Sequence, residues 1–401
     1  MQRIGIYGGT FNPPHLGHLR AAAYGVKALE LTRLLMIPSC VSPHKQHLPE
    51  GSATARQRLE MLKIALKGEE NIRVSDLELN RGGESYTWET VQQLKKIYPM
   101  AELILFMGTD MFLSFDSWKK PEVIMENASI GVFYRGLPGE MENIVAQKIR
   151  LESQGAKVYL IHNPLTVISS TDLRRLLVFQ CADSFLPEGV GDYIRENHLY
   201  GTGRSYRQLP MEELEKTVVG LLKPSRVAHV LGCRDTARQL AEIWGADPVD
   251  AARAGLLHDI TKALDGPLQL TLCQGYGTML DAFSQENPKT LHALTGSLVA
   301  ERIFGENPAV VRAIHHIIRT FARQGVKLSV CGEAGSDLHF LPLMLGMGLR
   351  YVSVSRSMAD RVRYTVLHTD LAAQAARLEQ VLQLQTEPEI RAALCGGKED
   401  A

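Results

Sequence analysis

The stretch that decides the fold of this chain runs from residue 8 to residue 18. It reads Gly8-Gly9-Thr10-Phe11-Asn12-Pro13-Pro14-His15-Leu16-Gly17-His18. The short apolar run Ile4–Tyr7 in front of it predicts a buried strand, and the alanine-rich sequence after His15 predicts a helix. Two glycines allow a tight turn and a close approach of the backbone to a ligand. The two prolines exclude this loop from a central strand.

The two histidines of this stretch indicate phosphate chemistry. His15 and His18 are three residues apart, so they share one face of the first helical turn. The N–H groups and the dipole at a helix N-terminus already favour a phosphate, and two imidazoles add donors at the same place. A lone HxGH pair would fit packed or solvated histidines as well. The glycine-rich strand end before it favours a functional pair, and we predict that both histidines are catalytic.

Length and composition restrict the class of protein. A chain of 401 residues predicts two or three domains, and a hydrophobic content of 45% with 22% charged residues is typical of soluble globular proteins. Lys plus Arg and Asp plus Glu number 44 each, so no net field attracts nucleic acid or a membrane, and we expect neither as a partner. The sequence carries no indication of the oligomeric state.

The cysteines and the start of the chain indicate the compartment. Six cysteines are scattered without a CxxC pair: Cys40, Cys181, Cys233, Cys273, Cys331 and Cys395. This favours reduced thiols in the cytoplasm and argues against a cysteine zinc site. The chain enters a strand without a signal peptide, and no apolar run reaches membrane-spanning length. We therefore expect a cytoplasmic protein.

Strand and helix patterns alternate through residues 1–203. Six strands are predicted, at Ile4–Tyr7, Leu34–Pro38, Ile72–Val74, Leu103–Met107, Ser129–Phe133 and Lys157–Ile161. Helical patterns separate them, starting near His15 and covering Ala55–Leu66 and Thr87–Ile97. Continuous apolar strands alternating with helices predict an α/β domain, a Rossmann-like parallel sheet with helices on both faces. Ligands of such sheets bind at the carboxyl ends of the strands.

Further candidate residues follow these strands. Lys45 comes after the second strand and can reach a phosphate, although loop lysines are usually solvated. Asp110 follows the Leu103–Met107 strand and can accept hydrogen bonds from a ribose, and Trp118 stands eight residues on, where core packing is the alternative. The segment Ile168-Ser169-Ser170-Thr171-Asp172-Leu173-Arg174 starts a helix after the last strand. Its hydroxyls can cap that helix or, with the fork of Arg174, bind phosphate.

Together these motifs resemble bacterial nicotinate mononucleotide adenylyltransferases throughout residues 1–203. The matching pieces are GGTFNPPHLGHL, SPHK, SYTWET (85–90), MGTDMFLSFDSWK (107–119) and ISSTDLR (168–174). The resemblance implies adenylyl transfer from ATP, carried with Mg²⁺, to nicotinate mononucleotide in NAD biosynthesis. It assigns to ATP, besides the two catalytic histidines, Gly8, Gly9, Thr10, Phe11, Lys45, Ile168, Ser169, Ser170, Thr171 and Arg174. It assigns Thr87, Asp110 and Trp118 to nicotinate mononucleotide, whereas Trp88 departs from the family pattern.

A Gly-, Ser- and Pro-containing linker at residues 201–210 separates a helical region, which we place at 211–310. His229 and the adjacent pair His258-Asp259 offer nitrogen and oxygen ligands for one divalent ion, and His292 is a fourth candidate. The segments RVAHVLG and ADPVDAARAGLLHDITK resemble HD hydrolases that split diadenosine tetraphosphate into two ADP. That resemblance implies Fe²⁺ or Mn²⁺ in an HD-type domain.

The resemblance to HD hydrolases stops before residue 311. His315 and His316 lack the family setting, and the closing Asp is absent at the expected distance, so we expect an incomplete domain that hydrolyses poorly or not at all. Residues 311–401 instead resemble the final part of the phosphoenolpyruvate-utilising barrel of enzyme I of the sugar phosphotransferase system, where Cys331 matches an active-site acid. We expect them to form a small partial α/β segment. A gene fusion and a recombination or assembly product both fit this arrangement.

Two rival functions remain open at this point. One is a nucleotide-sensing protein whose HD part binds dinucleotides without turnover. The other is an adenylyl- or cytidylyltransferase for a different phosphorylated substrate, such as phosphopantetheine. The SYTWET and Trp118 segments favour a pyridine substrate over the second rival, because an aromatic side chain fits a pyridine ring.

Overall fold

The computed structural model describes residues 2–41, 51–134, 139–163, 168–245, 247–280, 285–286, 288, 291–305, 329–331, 337–354, 358–384 and 387–395. The chain divides into two compact units, Met1–Arg204 and Ser205–Ala401. Among the described residues, no helix combines the length and the apolar character that crossing a membrane requires.

The first unit is built on a six-stranded sheet. Its strands are β1 (Arg3–Gly9), β2 (Arg33–Pro38), β3 (Ile72–Val74), β4 (Glu102–Gly108), β5 (Ser129–Tyr134) and β6 (Val158–His162). They lie in the order β3-β2-β1-β4-β5-β6 and all neighbours pair in parallel. This doubly wound order reverses between β1 and β4, which leaves a crevice beyond their carboxyl ends. The predicted fold class and all six predicted strands are confirmed.

Nine helices of the described first unit cover this sheet. They are α1 (Leu16–Ala28), α2 (Ala55–Ala65), α3 (Leu77–Arg81), α4 (Thr87–Ile97), α5 (Thr109–Leu113), α6 (Pro121–Asn127), α7 (Glu140–Ser153), α8 (Ser170–Val178) and α9 (Val190–Glu196). Side chains of β2 alternate between two cores: Leu35 and Ile37 join one cluster, whereas Leu34 and Met36 join the other. Apolar side chains are therefore buried on both faces, as the continuous apolar strands predict.

The described residues at the start of the second unit form helices. These are α10 (Met211–Leu221), α11 (Pro224–Trp244), α12 (Pro248–Leu257), α13 (Gly266–Gly275) and α14 (His292–Arg302). Asp247 caps α12, since its side chain accepts from the N–H groups of Val249 at 2.7 Å and Asp250 at 3.0 Å. Helix α11 starts at Pro224, because proline suits the first helical position.

A partial α/β arrangement follows the helices. Strands β7 (Ser329–Cys331) and β8 (Tyr351–Ser353) form a parallel pair. The described helices of this segment are α15 (Leu341–Met347), α16 (Ala359–Leu367), α17 (Leu371–Val381) and α18 (Glu387–Cys395). Their apolar side chains form one core cluster, including Leu343, Met344 and Val381. This agrees with the small α/β segment predicted for the C-terminal part.

Candidate active site

The glycine-rich loop lies at the crevice between β1 and β4. Phe11 has a left-handed backbone (φ +48°) and is buried, with its ring 5.0 Å from that of His18 and edge-on to it. A Cβ on Gly9 would lie 3.0 Å from the Phe11 ring, so glycine makes room for this ring. A Cβ on Gly8 would meet nothing within 4 Å, and the Gly8 backbone is not left-handed. The fold itself does not require glycine at position 8, and the space above it can admit a ligand.

His15 and His18 form a stacked pair at the start of α1. Their ring centroids are 3.6 Å apart with an interplanar angle of 27°. The main-chain N–H of His15 donates to Nδ1 of His18 at 3.2 Å. Because that backbone group can only donate, Nδ1 is the acceptor and the neutral His18 ring carries its proton on Nε2. Nε2 of His18 is therefore a hydrogen-bond donor.

Burial keeps His15 neutral. Its side chain is 5% exposed, and desolvation lowers its pKa to about 4. Nδ1 of His15 and Nδ2 of Asn12 are buried without a hydrogen-bond partner among the described residues. A buried polar atom left without a partner costs about 1–3 kcal/mol. A phosphate oxygen that accepted hydrogen bonds here would remove that cost.

Arg58 holds the glycine-rich loop through its backbone carbonyls, a role that the sequence did not predict. Its Nη1 donates to the carbonyl of Thr10 at 2.6 Å, and Nη2 donates to the carbonyls of Ser39 at 2.7 Å and Cys40 at 3.2 Å. Arg58 is only 2% exposed, and burial lowers its pKa. It ties the glycine-rich loop to the chain leaving β2. The available signal was its position on the apolar face of α2, one turn before the buried Leu62.

Residues from the end of the unit fasten the same loop. Arg174 donates through Nη1 to the carbonyl of Asn12 at 2.7 Å, and the Ser170 hydroxyl donates to the carbonyl of Pro13 at 3.1 Å. The hydroxyl of Tyr200 donates to Oδ1 of Asn12 at 2.6 Å, and burial raises the Tyr200 pKa. Tyr200 was also missed, because 188 residues separate it from its partner. These bonds fix the loop relative to α8.

The other hydroxyls of the segment 168–171 also have partners within the protein. Ser169 caps α8 by accepting from the N–H of Asp172 at 3.0 Å, and Nη2 of Arg174 donates to the Thr171 hydroxyl at 3.1 Å. Ile168 is buried. The segment therefore caps α8 and also contacts the glycine-rich loop, so the two predicted roles, helix cap and phosphate clamp, fall at the same place. Lys45 lies outside the described residues.

The residues assigned to the second substrate lie beyond β4 and at the start of α4. A Cβ on Gly108 would meet nothing within 4 Å, and Asp110 is exposed in the first turn of α5. Trp118 is half-buried against the core, with its ring 5.4 Å from that of Phe115. Thr87 is the first residue of α4, which packs against α6. Trp118 therefore has a packing role whatever else it contacts.

Comparison with known proteins agrees with this arrangement. The sequence model of the cytidylyltransferase-like family matches residues 6–176. A probable nicotinate-nucleotide adenylyltransferase of Borreliella burgdorferi is 36% identical over 199 residues, which cover 49% of this chain and 96% of that protein. The first half of the chain belongs to the nicotinate-nucleotide adenylyltransferase family. Another probable member, from Exiguobacterium sibiricum, is 33% identical over 201 residues, covering 50% of this chain and all of that protein.

Other matches concern a solved structure and the C-terminal part. The nicotinic acid mononucleotide adenylyltransferase of Plasmodium falciparum, complexed with NaAD, superposes with a TM-score of 0.41 at 19% identity, covering 50% of this chain and 98% of that one. The model of the PEP-binding domain of PEP-utilising enzymes matches residues 292–371. This match supports the resemblance of the C-terminal part to phosphoenolpyruvate-utilising enzymes. The matched range contains Cys331, which lies in β7, and also residues 306–328, including His315 and His316, outside the described residues.

In the second unit, the three predicted histidine ligands converge on the fourth predicted ligand, Asp259. Its Oδ2 lies 3.7 Å from Nε2 of His229 and 3.6 Å from Nε2 of His258. Its Oδ1 lies 3.9 Å from Nε2 of His292. The side chain of Asp259 is 5% exposed, although it comes directly after the end of α12 and its exposed neighbour His258.

Cationic side chains surround this cluster. Burial would raise the pKa of Asp259, but a hydrogen bond from Arg226 and the positive charges of Arg226 and Lys262 hold it below its usual value. The Lys262 Nζ atom lies 2.6 Å from Nε2 of His292. The site therefore combines a buried carboxylate, three imidazoles and two cations. Such a donor set can hold a divalent ion, and the flanking cations can attract phosphates.

Proposed function

We propose that the first unit transfers the adenylyl group of MgATP to nicotinate mononucleotide, giving nicotinate adenine dinucleotide and pyrophosphate for NAD biosynthesis. The observation that carries this proposal is the stacked pair His15 and His18 at the start of α1, beside the crevice of a family member. The substrates are those that the names of the relatives imply.

The chemistry consists of one displacement at phosphorus. A phosphate oxygen of the mononucleotide attacks the α-phosphorus of ATP, a new P–O bond forms, and the bond to the β-phosphate oxygen breaks. The enzyme needs positioning and stabilisation of charge on the phosphoryl oxygens rather than an acid–base pair. The Nε2–H donor of His18 would serve the α-phosphate, and neutral His15 with the N-terminus of α1 would serve the neighbouring phosphates.

We propose that the remaining site residues either shape the loop or contact one of the two substrates. Gly8 and Gly108 leave the room for backbone approach, and Arg58 and Arg174 hold the carbonyls of the loop in place. ATP would contact the loop residues Gly8–Phe11, Lys45, the segment Ile168–Thr171 and Arg174. Nicotinate mononucleotide would contact Thr87, Asp110 and Trp118.

Pyrophosphate release tests the substrate assignment. The full chain is assayed with ATP against nicotinate mononucleotide, nicotinamide mononucleotide and phosphopantetheine, side by side, and with CTP in place of ATP. We expect ATP with the acid mononucleotide to give the highest kcat/KM, because a positioned polar group discriminates strongly between acid and amide. Equal kcat/KM for acid and amide would contradict the assignment, and phosphopantetheine turnover would support the rival transferase.

The three segments 1–203, 211–310 and 311–401 are proposed as separate domains. The division of the chain near residue 204 supports the first boundary. Residues 1–203 alone should fold and keep adenylyl transfer, because every adenylyltransferase motif precedes the linker. An insoluble or inactive truncation would contradict this.

A second candidate function belongs to the metal-ligand cluster, and its carrying observation is the convergence of His229, His258 and His292 on Asp259. We propose that this cluster binds a divalent ion, for which Fe²⁺ or Mn²⁺ is the family expectation. When bound, such an ion polarises a phosphoanhydride and activates water. Arg226 and Lys262 would attract the phosphates of a dinucleotide such as diadenosine tetraphosphate.

Turnover distinguishes a hydrolase from a sensor. ADP release from diadenosine tetraphosphate is measured with added Fe²⁺, Mn²⁺ or Co²⁺, in the wild type and in Asp259→Ala. We expect binding with little or no hydrolysis, because the further ligands of the family are missing from the sequence. Robust turnover that Asp259→Ala abolishes would show a complete hydrolase instead.

A further inference from the structure

We propose that Cys233 is a thiolate ligand of the metal centre in the second unit, together with His229, His258 and Asp259, and that this donor set selects zinc. The inference rests on the metal centre proposed above and changes its metal and its role. A cysteine ligand was not expected, because the cysteine spacing argues against a cysteine zinc site.

The thiol lies beside the first histidine on one helix. His229 and Cys233 are four residues apart on α11 and therefore share a face. The Cys233 Sγ atom lies 3.7 Å from Nε2 of His229. One ligand atom from each of His229, Cys233 and His258 lies within 4.8 Å of the others. Two adjacent helices thus supply three donor atoms at one place.

The spacing of the donors fits a small four-coordinate ion. Zinc bonds of about 2.0–2.1 Å to nitrogen and 2.3 Å to sulfur place tetrahedral ligand atoms about 3.3–3.6 Å apart. The two Nε2 atoms of His229 and His258 are 3.3 Å apart. The carboxylate of Asp259 adds an oxygen at 3.7 Å from one and 3.6 Å from the other. Four of the ligand separations are therefore close to tetrahedral edges.

The backbone prepares His258 as a ligand. Its Nδ1 lies 2.8 Å from the carbonyl oxygen of Gly255. Since a carbonyl only accepts, Nδ1 carries the proton and Nε2 presents a lone pair towards His229 and Asp259. A hydrogen bond from the other ring nitrogen is the usual support of a metal-binding histidine.

A glycine contact brings the two helices together. A Cβ on Gly255 would lie 2.8 Å from Cα of Arg234 and 3.0 Å from the carbonyl oxygen of Cys233, both in the backbone of α11. No other residue fits this contact without separating α11 from α12. The close approach brings the His258 end of α12 beside His229 and Cys233.

The donor set determines the metal and its role. A thiolate with two imidazoles suits zinc, whereas carboxylate and water suit Mn²⁺. The lone pair of His292 is engaged by Lys262 at 2.6 Å. Asp259 accepts from Arg226, but a carboxylate has further lone pairs for a metal. His229, Cys233, His258 and Asp259 therefore remain as four donors. Four protein ligands close a tetrahedral zinc site, and closed sites are structural rather than catalytic. A zinc centre of this kind would stabilise the helical region and would not turn over dinucleotides.

Cobalt substitution of the full chain tests the thiolate directly. The purified protein is stripped with a chelator and reconstituted with Co²⁺, and its spectrum is compared with that of Cys233→Ser. Cys181→Ser is the matched control, since Cys181 is also half-buried but lies in the first unit. We expect a thiolate-to-cobalt charge-transfer band in the wild type and in the control, and its loss in Cys233→Ser.

Zinc affinity and alkylation give independent readouts. Chelator competition should show at least about a 100-fold loss of zinc affinity in Cys233→Ser, because loss of even a supporting residue costs 10–100-fold. In the wild type, bound zinc should protect Cys233 from iodoacetamide in peptide mapping, a measurement that does not depend on whether the variant folds.

The outcomes separate the two proposals. Stoichiometric cobalt without a charge-transfer band, or a Cys233 that zinc leaves unprotected, would overturn the thiolate ligand while the metal centre stands. No stoichiometric cobalt or zinc in the wild type would overturn both. A band that survives in Cys233→Ser would assign the sulfur ligand to another cysteine and contradict the inference.

Discussion

The two units each hold a close pair of histidines, and the pairs differ in whether Nε2 of one ring carries a proton or a lone pair. In the first unit, a backbone N–H donates to Nδ1 of His18, so Nε2 bears the proton. In the second unit, Nδ1 of His258 donates to a backbone carbonyl, so Nε2 bears a lone pair. The first pair can therefore donate to anions, and the second can coordinate a cation.

The surroundings of the pairs reinforce this difference. The rings of His15 and His18 stack at the N-terminus of α1, where the helix dipole favours a phosphate. The rings of His229 and His258 cross at 63° beside the buried carboxylate of Asp259. A histidine side chain can thus bind an anion in one unit and a cation in the other. The backbone group that contacts Nδ1 decides which, because it fixes whether Nε2 carries a proton.

The substitution His18→Asn gives the strongest test of the difference between the two histidine pairs. The asparagine amide oxygen can still accept from the His15 N–H, but the Nε2–H donor is lost. We expect kcat to fall by about 10²–10³-fold, the usual effect of removing one donor to a transition-state charge, with a small change in ATP affinity. Steady-state kinetics and a thermal melt check this. A near-normal kcat with an unchanged Tm would remove His18 from the catalytic role.

Gly255→Ala breaks the second pair without touching a histidine. The added Cβ meets the backbone of α11, and we expect a loss of about 1–3 kcal/mol of unfolding free energy together with weaker metal binding. Gly220→Ala is the matched control, because a Cβ there meets nothing within 4 Å, and it should stabilise α10 by up to about 1 kcal/mol. Equal metal affinity in the two variants would contradict the proposed role of the close helix contact.

Acid should weaken the first unit through His15. Its pKa is about 4 in the folded protein and 6.5 in an unfolded chain, so between these values only the unfolded chain binds the proton. The contribution of His15 to stability is therefore present above pH 6.5 and falls as the pH drops towards 4, by up to about 1.4 kcal/mol per pH unit. Urea unfolding followed by tryptophan fluorescence at several pH values measures this slope. In His15→Gln the slope should be smaller, and an identical slope would exclude a neutral buried His15.

Gly8→Ala should have the smallest effect. A methyl group at position 8 meets no protein atom within 4 Å and occupies the proposed ligand space, so we expect KM for ATP to rise by up to about tenfold, or 1.4 kcal/mol, at unchanged stability. Gly5→Ala provides the contrast, since its Cβ would lie 2.7 Å from Leu31 and Phe106 and should destabilise the fold. An unchanged KM for Gly8→Ala would mean that ATP does not approach this glycine.

Local patterns predicted the elements of the first unit well. Continuous apolar runs such as Leu103–Met107 indicate strands buried on both faces, because only a parallel sheet covered by helices buries such runs. The start of α1 was equally readable, since glycine, proline and two histidines in close succession leave few alternatives. Asp247 before Pro248 likewise predicts the start of α12, because a cap acts within one turn.

Long-range contacts could not be read in this way. Arg58 and Tyr200 hold the loop through partners 48 and 188 residues away, and no local pattern encodes such a pairing. The local sequence around Trp118 is compatible with both core packing and ligand contact. The structure shows that Trp118 packs against Phe115.

The sequence by itself determined the doubly wound first unit, its family and the positions of both histidine pairs, because these depend on short-range periodicity, capping and motif spacing. Only the tertiary structure decided which ring nitrogen of His18 and of His258 carries the proton, and the approach of Cys233 to His229 and His258. The second pair comes together because Gly255 lets two helices touch through their backbones, which is a contact between surfaces and not a property of either segment.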